Sequence, residues 1–214
     1  MNLTKIKENK MKEFYLFLAF LMLFLAGCTE KNQYIINGKQ MGENDLLTLG
    51  IDKADFEYAA QKSVESLLKS GSLDNPKGGR YIVAIGKVIN DTTEYIDTDL
   101  LTKKIRIALL NSKKAVMTTA ISGNGTSENL TYDVRDLRNN DEFNQATIAK
   151  KGTILTPDFA LSGKIIQKIA QTTTKKALVT YYFQLTLTDL TTGLAFWEDE
   201  NVIEKIGSNK SVVW

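Results

Sequence analysis

Residues 177–188 of this 214-residue chain read ALVTYYFQLTLT, and their pattern decides the fold. Apolar and polar side chains alternate along the stretch. One side carries Val179, Tyr181, Phe183, Leu185 and Leu187, and the other carries Thr180, Tyr182, Gln184, Thr186 and Thr188. Because successive side chains of a strand point to opposite faces, the pattern predicts a strand with one face in the core. The other face meets water or a partner.

Strand patterns flank this stretch on both sides. The sequence predicts strands at 159–169 and 194–206, and a loop, Asp189-Leu190-Thr191-Thr192-Gly193, joins the second of these to the central strand. The glycine that ends the loop supplies the positive φ that a tight hairpin needs. We therefore expect an antiparallel hairpin at the C-terminal end of the sheet.

The chain before this hairpin alternates between helix and strand patterns. Apolar spacing predicts helices at 52–71 and 97–110, and β-branched runs predict strands at 80–90 and 115–121. One or two short helices are expected at 132–151. Two strands joined by a helix form a parallel βαβ unit. The predicted fold is α/β, with a single mixed sheet of three to five strands flanked by about four helices.

The N-terminal region has the pattern of a secretory signal that ends in a lipid attachment site. Lysines precede an uncharged apolar run at 14–25, which is shorter than the ~20 residues that a membrane-spanning helix needs. The run ends in Leu25-Ala26-Gly27-Cys28, which resembles the lipobox of bacterial lipoproteins. That resemblance implies cleavage before Cys28 and a lipid on Cys28 that anchors the protein to a membrane. The alternative is an ordinary signal peptide with a chance cysteine.

The composition argues against catalysis and against nucleic-acid binding. The signal segment holds four lysines and two glutamates, so its removal from 27 basic and 25 acidic side chains leaves 23 of each. The chain has no histidine and one cysteine, which removes the commonest general base and any cluster of thiolates around a metal. The acidic triplet Glu198-Asp199-Glu200 has no base or metal ligand beside it. We expect no enzyme, no metal, no cofactor, no nucleic-acid partner and no small-molecule substrate.

The sequence divides the chain into three parts. We expect a signal peptide at 1–27, a lipidated tether at 28–51 and one globular domain at 52–214. The tether is predicted because its sequence is polar, contains glycine and has no sustained period. The apolar groups Tyr34-Ile35-Ile36 and Leu46-Leu47 leave open the alternative that this segment docks on the domain as an edge strand or a turn.

Three motifs resemble the LpoB family of outer-membrane lipoproteins. The sequence YYFQLTLTDLTTG at 181–193, followed by FWEDE at 196–200, is similar to the final hairpin of that family. DFALSG at 158–163 resembles the preceding strand, and VINDT at 88–92 resembles the exit from the first strand. The resemblance covers about 52–206 and implies a fold like that of the TolB N-terminal domain. The chain departs from the family pattern in its tether, which is short and nearly free of proline.

The resemblance implies a regulator that has no catalytic activity. Members of this family are anchored in the outer membrane by lipid, face the periplasm and activate a class A penicillin-binding protein, a peptidoglycan synthase, by protein contact. Thr29 follows the cysteine in place of aspartate, which favours the outer membrane by the same analogy. Curli-secretion lipoproteins share a similar order of elements, so an oligomerising structural or secretion-associated envelope lipoprotein stays open as the alternative.

Candidate contact residues lie in a charged segment of the predicted domain. Arginine and tyrosine are enriched in the cores of protein interfaces, which makes Tyr132, Arg135 and Arg138 the partner-binding candidates. Charges of both signs alternate around them, and this pattern equally fits a solvated helix face.

Overall fold

The computed structural model describes residues 33–36, 39–40, 49–123, 127–171 and 176–208, and of residues 33–36, 39–40, 171 and 208 it describes the backbone alone. All of them belong to one compact unit, Asn32–Trp214. The strands are β1 (Gln33–Ile36), β2 (Lys39–Gln40), β3 (Tyr81–Asp91), β4 (Ala115–Met117), β5 (Phe159–Gln171), β6 (Lys176–Asp189) and β7 (Ala195–Ser208). The helices are α1 (Lys53–Ser70), α2 (Thr98–Asn111) and α3 (Leu130–Asp136), with 3₁₀ turns at Leu137–Asn139 and Gln145–Thr147.

The strands form one mixed sheet in the order β2-β1-β7-β6-β5-β3-β4. β3 is parallel to β4 and to β5, and the other neighbouring pairs are antiparallel. The predicted α/β class, the parallel unit of β3, α2 and β4, and the C-terminal hairpin are therefore confirmed. The five strands from β3 to β7 match the expected number, and β1 and β2 extend the sheet by two.

The core lies between the sheet and the two long helices. α1 and α2 pack on each other, α1 also packs on β7, and α2 packs on β3 and β4. β6 contributes the side chains that the alternation predicted, and all of them are buried: Val179, Tyr181, Phe183, Leu185 and Leu187. Each large apolar side chain buried in this way contributes about 1.5–3 kcal/mol to stability. The alternate side chains of β6 are partly exposed, except for the buried Thr180.

The two ends of α1 lie at residue types that favour helix ends, an aspartate at the start and a glycine at the finish. Asp52 Oδ1 accepts from the backbone N–H groups of Ala54 and Asp55 at 2.8 and 3.2 Å, and Asp52 N–H donates to Asp55 Oδ2 at 2.8 Å. This reciprocal arrangement is a capping box. Gly71 ends the helix with a φ of 74°, a left-handed conformation that favours glycine.

Two predicted elements are shorter than expected. β4 ends at Met117, where Ile121 was expected, and β3 bulges between Ile85 and Val88 near the level where its ladder with β4 stops. The predicted helical stretch 132–151 forms α3 and the two 3₁₀ turns, so the described residues contain three α-helices where about four were expected. Its Asn139-Asn140-Asp141 sequence favours turns, because short polar side chains compete for the hydrogen bonds of a helix.

Part of the predicted tether belongs to the sheet. β1 pairs antiparallel with β7, with Gln33 opposite Ile206 and Ile36 opposite Ile203. β-branched residues favour strands, and β7 offers them an edge with which to pair. Edge docking, the alternative left open for Tyr34-Ile35-Ile36, is therefore what the structure shows. Leu46 and Leu47 lie outside the described residues, and the boundaries of the three predicted parts stay predictions.

Candidate functional site

The three candidate contact residues lie in the connecting segment, residues 118–157, which joins β4 to β5. None of its described side chains, at 118–123 and 127–157, is buried. Six of its large apolar side chains are between 42 and 68% exposed: Ile121, Leu130, Tyr132, Val134, Phe143 and Leu155. Apolar side chains grouped on a protein surface are typical of interaction sites. The connecting segment is therefore a candidate docking surface.

Two arginines hold this segment in shape. Arg138 donates from Nε and Nη2 to the carbonyl oxygen of Ala149, at 3.1 and 2.7 Å. Arg135 donates to the carbonyl oxygen of Thr131 and to Thr153 Oγ1. Both guanidinium groups therefore bind within the segment and join α3 and the adjoining 3₁₀ turn to the chain that returns to β5.

The structure thus gives the three candidates different roles. Tyr132 is 42% exposed and presents its ring at the surface. Arg135 and Arg138 are half-buried, and part of their donor capacity is used inside the segment. A guanidinium has five donors, so both arginines keep some for a partner. Tyr132 is the candidate whose side chain can contact a partner without disturbing the segment.

A buried lysine fixes the start of α1. Lys205 of β7 is 1% exposed, and its Nζ lies 2.6 Å from Asp55 Oδ2 and 3.2 Å from Asp52 Oδ2. It also donates to the carbonyl oxygen of Gly50. A buried charge costs several kcal/mol unless opposite charges and hydrogen bonds compensate it, and this cluster supplies both. The cluster ties β7 to the chain before α1.

The chain just before α1 is also held by a buried tyrosine, Tyr181 of β6. The Tyr181 hydroxyl donates to the Glu94 carboxylate, accepts from Gln167 Nε2 at 3.1 Å and lies 3.1 Å from the carbonyl oxygen of Leu49. The other oxygen of Glu94 accepts from the N–H of Ile51 at 3.2 Å. Burial and, after it, the Glu94 carboxylate raise the pKa of the Tyr181 phenol well above its ordinary value.

The sequence interpretation missed these two clusters. Lys205 follows the buried Ile203 at the strand period of two, so its inward position could have been found from the pattern of β7. Nothing in the sequence pointed to Glu94, because Tyr181, its partner, lies 87 residues away. Together the clusters hold the pre-helix segment, Leu49–Asp52, against the domain.

The acidic triplet lies along β7. Glu198 accepts from Thr186 Oγ1 at 3.2 Å, and Glu200 accepts from Gln184 Nε2 at 2.7 Å. Asp199 accepts from Asn201 Nδ2 at 2.7 Å. These carboxylates are thus held by neutral donors of β6 and β7. Among the residues that the structure describes, no group of three or more His, Cys, Asp or Glu side chains is placed to hold a metal ion.

The predicted lipid site lies outside the described residues. Leu25, Ala26, Gly27 and Cys28 all belong to this undescribed part of the chain, so lipid attachment stays a prediction. Within the part that is described, every helix is too short or too polar to cross a membrane.

Solved structures of similar proteins share little sequence with this chain. The LpoB C-terminal domain from Escherichia coli is 14% identical, with a TM-score of 0.39, over 69% of this chain and 97% of that chain. The NMR structure of E. coli LpoB is 16% identical, with a TM-score of 0.37, over 78% and 79% of the two chains. Lipoprotein GNA1162 from Neisseria meningitidis is 16% identical, with a TM-score of 0.35, over 62% and 87%. The comparison with curated proteins finds no match.

The family comparison gives a match that covers most of the domain. The family described as peptidoglycan-synthase activator LpoB matches residues 55–203. This range begins at the buried Asp55 in the first turn of α1 and ends at Ile203 in β7, so it includes Tyr181 and Glu94, the connecting segment and the acidic triplet, and it stops two residues before Lys205. The chain belongs to the LpoB family of peptidoglycan-synthase activators.

Proposed function

We propose that this protein is anchored by lipid in the outer membrane, faces the periplasm and activates a class A penicillin-binding protein, so that it stimulates peptidoglycan synthesis by protein contact. The observation that carries the proposal is the family match over residues 55–203. The lipobox sequence around Cys28 supports the anchor. The exposed apolar surface of the connecting segment supports a role in binding a protein.

Activation by contact sets a thermodynamic condition. A binding protein can raise the activity of a synthase only if it binds the more active conformation better than the less active one. A tenfold preference corresponds to about 1.4 kcal/mol of coupling free energy. The synthase must therefore bind this protein more tightly when it is held in its active conformation.

The direct test uses the full-length protein in detergent and the class A penicillin-binding protein of the same bacterium. Binding is measured by surface plasmon resonance, and glycan-strand polymerisation is measured with fluorescent lipid II. We expect a complex and a higher polymerisation rate. Absence of binding together with an unchanged rate contradicts the proposal.

Anchoring has its own test, which is incorporation of labelled palmitate in growing cells. The wild-type protein and the control variant Thr29→Ser should both take up the label, because each keeps the cysteine of the lipobox. Cys28→Ala should take up none, because the thiol that accepts the lipid is gone. Labelling of the Cys28→Ala variant contradicts lipidation at this position.

Tyr132 offers the cleanest test of the contact surface, because it is exposed and the two arginines also shape the segment. We expect Tyr132→Ala to weaken synthase binding about tenfold, since interface tyrosines often contribute 1–2 kcal/mol or more. Tyr95→Ala is the matched control, because Tyr95 is 98% exposed in the loop after β3. Equal affinities for the two variants would exclude Tyr132 from the interface.

A further inference from the structure

The outer edge of β7 is mostly unpaired among the described residues. β7 runs from Ala195 to Ser208, and β6 pairs with it along nearly this whole length. On its other side, β1 pairs only with Ile203–Ile206. The described residues therefore supply no strand neighbour for the outer edge between Ala195 and Val202. An open edge of this kind presents backbone N–H and C=O groups to an incoming strand.

This edge lacks two of the residues that usually prevent strand addition, and its charged side chains are all acidic. The stretch from 195 to 202 contains no proline and no lysine. Leu187 of β6 pairs with Trp197 and Thr188 pairs with Ala195, so Phe196 is an extra residue that forms a bulge at the start of β7, and the register with β6 is regular from Trp197 onward. β1 already occupies the neighbouring part of the same edge as an antiparallel strand. The geometry of β7 is therefore compatible with a longer added strand.

Charge indicates the kind of strand that fits. Glu198 and Glu200 are exposed, lie on the same face of β7 and accept hydrogen bonds from neutral side chains of β6. Among the described residues, no lysine or arginine forms an ion pair with them. Opposite charges on neighbouring strands stabilise a sheet, and like charges destabilise it. A strand with basic side chains therefore fits this edge.

The same charges disfavour a second copy of the chain. Antiparallel pairing of two β7 edges about Asp199 would place Glu198 of one copy opposite Glu200 of the other. Such an arrangement brings carboxylates together across the new ladder. Pairing in this register therefore disfavours a second copy and favours a strand from a different protein.

We propose that the outer edge of β7 between Ala195 and Val202 binds an extended, lysine- or arginine-bearing segment of the peptidoglycan synthase by strand addition. This inference rests on the proposed function, because the synthase supplies the segment. Backbone hydrogen bonds provide the pairing, and Glu198 and Glu200 select basic side chains. The surface lies at the edge of the sheet opposite to β4, from which the connecting segment departs.

The first test is hydrogen–deuterium exchange of the full-length protein in detergent, alone and saturated with the class A penicillin-binding protein. We expect exchange at 196–202 to slow at least tenfold in the complex, while 203–206 is protected in both samples by β1. A complex that forms and stimulates synthesis without protection at 196–202 overturns the strand addition and leaves the proposed function standing. Absence of any complex overturns both.

The second test reverses the charge of the edge. We expect the double variant Glu198→Lys, Glu200→Lys to bind the synthase at least tenfold more weakly, because attraction of a basic strand becomes repulsion. The double variant Glu57→Lys, Asp74→Lys changes the net charge equally at exposed positions in α1 and in the turn after it, away from both β7 and the connecting segment, and serves as control. An unchanged urea midpoint shows that each variant is folded. Equal affinities of the two double variants overturn the proposal.

Discussion

Lys205 shows how one residue links the two ends of the described domain. It lies in the last strand, and its ammonium group contacts Asp55 in the first turn of α1 across 150 positions of sequence. Its side chain and that of Asp55 are 1% and 0% exposed. Buried ion pairs seldom add much net stability, but removing one member of a pair is costly. The pair therefore fixes where α1 begins relative to the sheet.

We expect Lys205→Met to lower the free energy of unfolding by about 3–5 kcal/mol, because the Asp55 carboxylate loses the cation that compensates its burial. The double variant Lys205→Met, Asp55→Asn should regain a large part of this loss, since no charge then remains at the Asp55 position. Urea unfolding followed by circular dichroism measures both. Equal losses in the single and double variants would show that the charge of Asp55 is not the cause.

We expect Tyr181 to make the free energy of unfolding of the domain depend on pH in the alkaline range. Its pKa is raised in the folded protein, so the native state keeps the phenol proton where the unfolded chain, with a pKa near 10, releases it. Below about pH 10 the Tyr181 phenol makes its full contribution to the free energy of unfolding. Above that pH this contribution falls by about 1.4 kcal/mol per pH unit, because the unfolded chain releases the proton that the folded protein keeps. We expect Tyr181→Phe to be less stable at pH 7 but to have a shallower loss above pH 10. Urea midpoints between pH 7 and 11 measure this, and identical slopes would contradict it.

At the scale of elements, the sequence predicted those features of strands and turns that depend on residues close together in the chain. The alternation of β6 and the Gly193 turn are confirmed, and Gly193 has a φ of 75°. The bulge in β3 and the choice of β7 as the partner of β1 depend on neighbours distant in sequence, so no local pattern revealed them, although the apolar residues of β1 indicated that it could dock as an edge strand. The contact of Lys205 with Asp55 could not be predicted either, because the two residues are 150 positions apart in the sequence. Of the candidate contact residues, exposure and type were predictable, and the internal hydrogen bonds of the arginines were not.

Gly163 of β5 lies where the backbone of β6 approaches too closely to leave room for a side chain. A Cβ on this residue would lie 2.3 Å from the carbonyl oxygen of Gln184 and 2.7 Å from Leu185 Cδ2. We expect Gly163→Ala to cost about 1–3 kcal/mol, because backbone of the central sheet has to shift. Ser162→Ala, one position earlier, removes only a half-buried hydroxyl and is the control. Equal midpoints in thermal unfolding would mean that the sheet accommodates the methyl group.

At the scale of the whole molecule, the connecting segment stands apart from the core. None of its described side chains is buried, so removing it takes no apolar side chain out of the core. Its two ends lie close together, because Gly123 N–H donates to the Ile85 carbonyl and Asp158 N–H donates to the Ile82 carbonyl of the same strand. The fold and this surface are therefore separable.

We expect a variant in which about eight Gly and Ser residues replace 127–153 to keep its free energy of unfolding within about 1 kcal/mol of the wild type. Such a linker spans roughly 25 Å when extended. The distance it must cross is about 10 Å, because β4 and β5 lie on the two sides of β3 and are therefore two strand spacings apart. Urea unfolding measures the change. A loss above about 3 kcal/mol would show that the segment contributes to the core after all.

The pairing of β1 with β7 determines how tension enters the domain. A pull on the chain ahead of Gln33 acts along β1, and its hydrogen bonds with β7 lie across the direction of the pull and share the load. After β1 in the sequence comes the pre-helix segment, which is held by Lys205 of β7 and Tyr181 of β6. Force is therefore passed to the C-terminal strands before it reaches α1. β7 is also the strand proposed to receive the synthase. Stretching of the predicted lipid anchor and capture of the proposed partner would then act on one and the same strand.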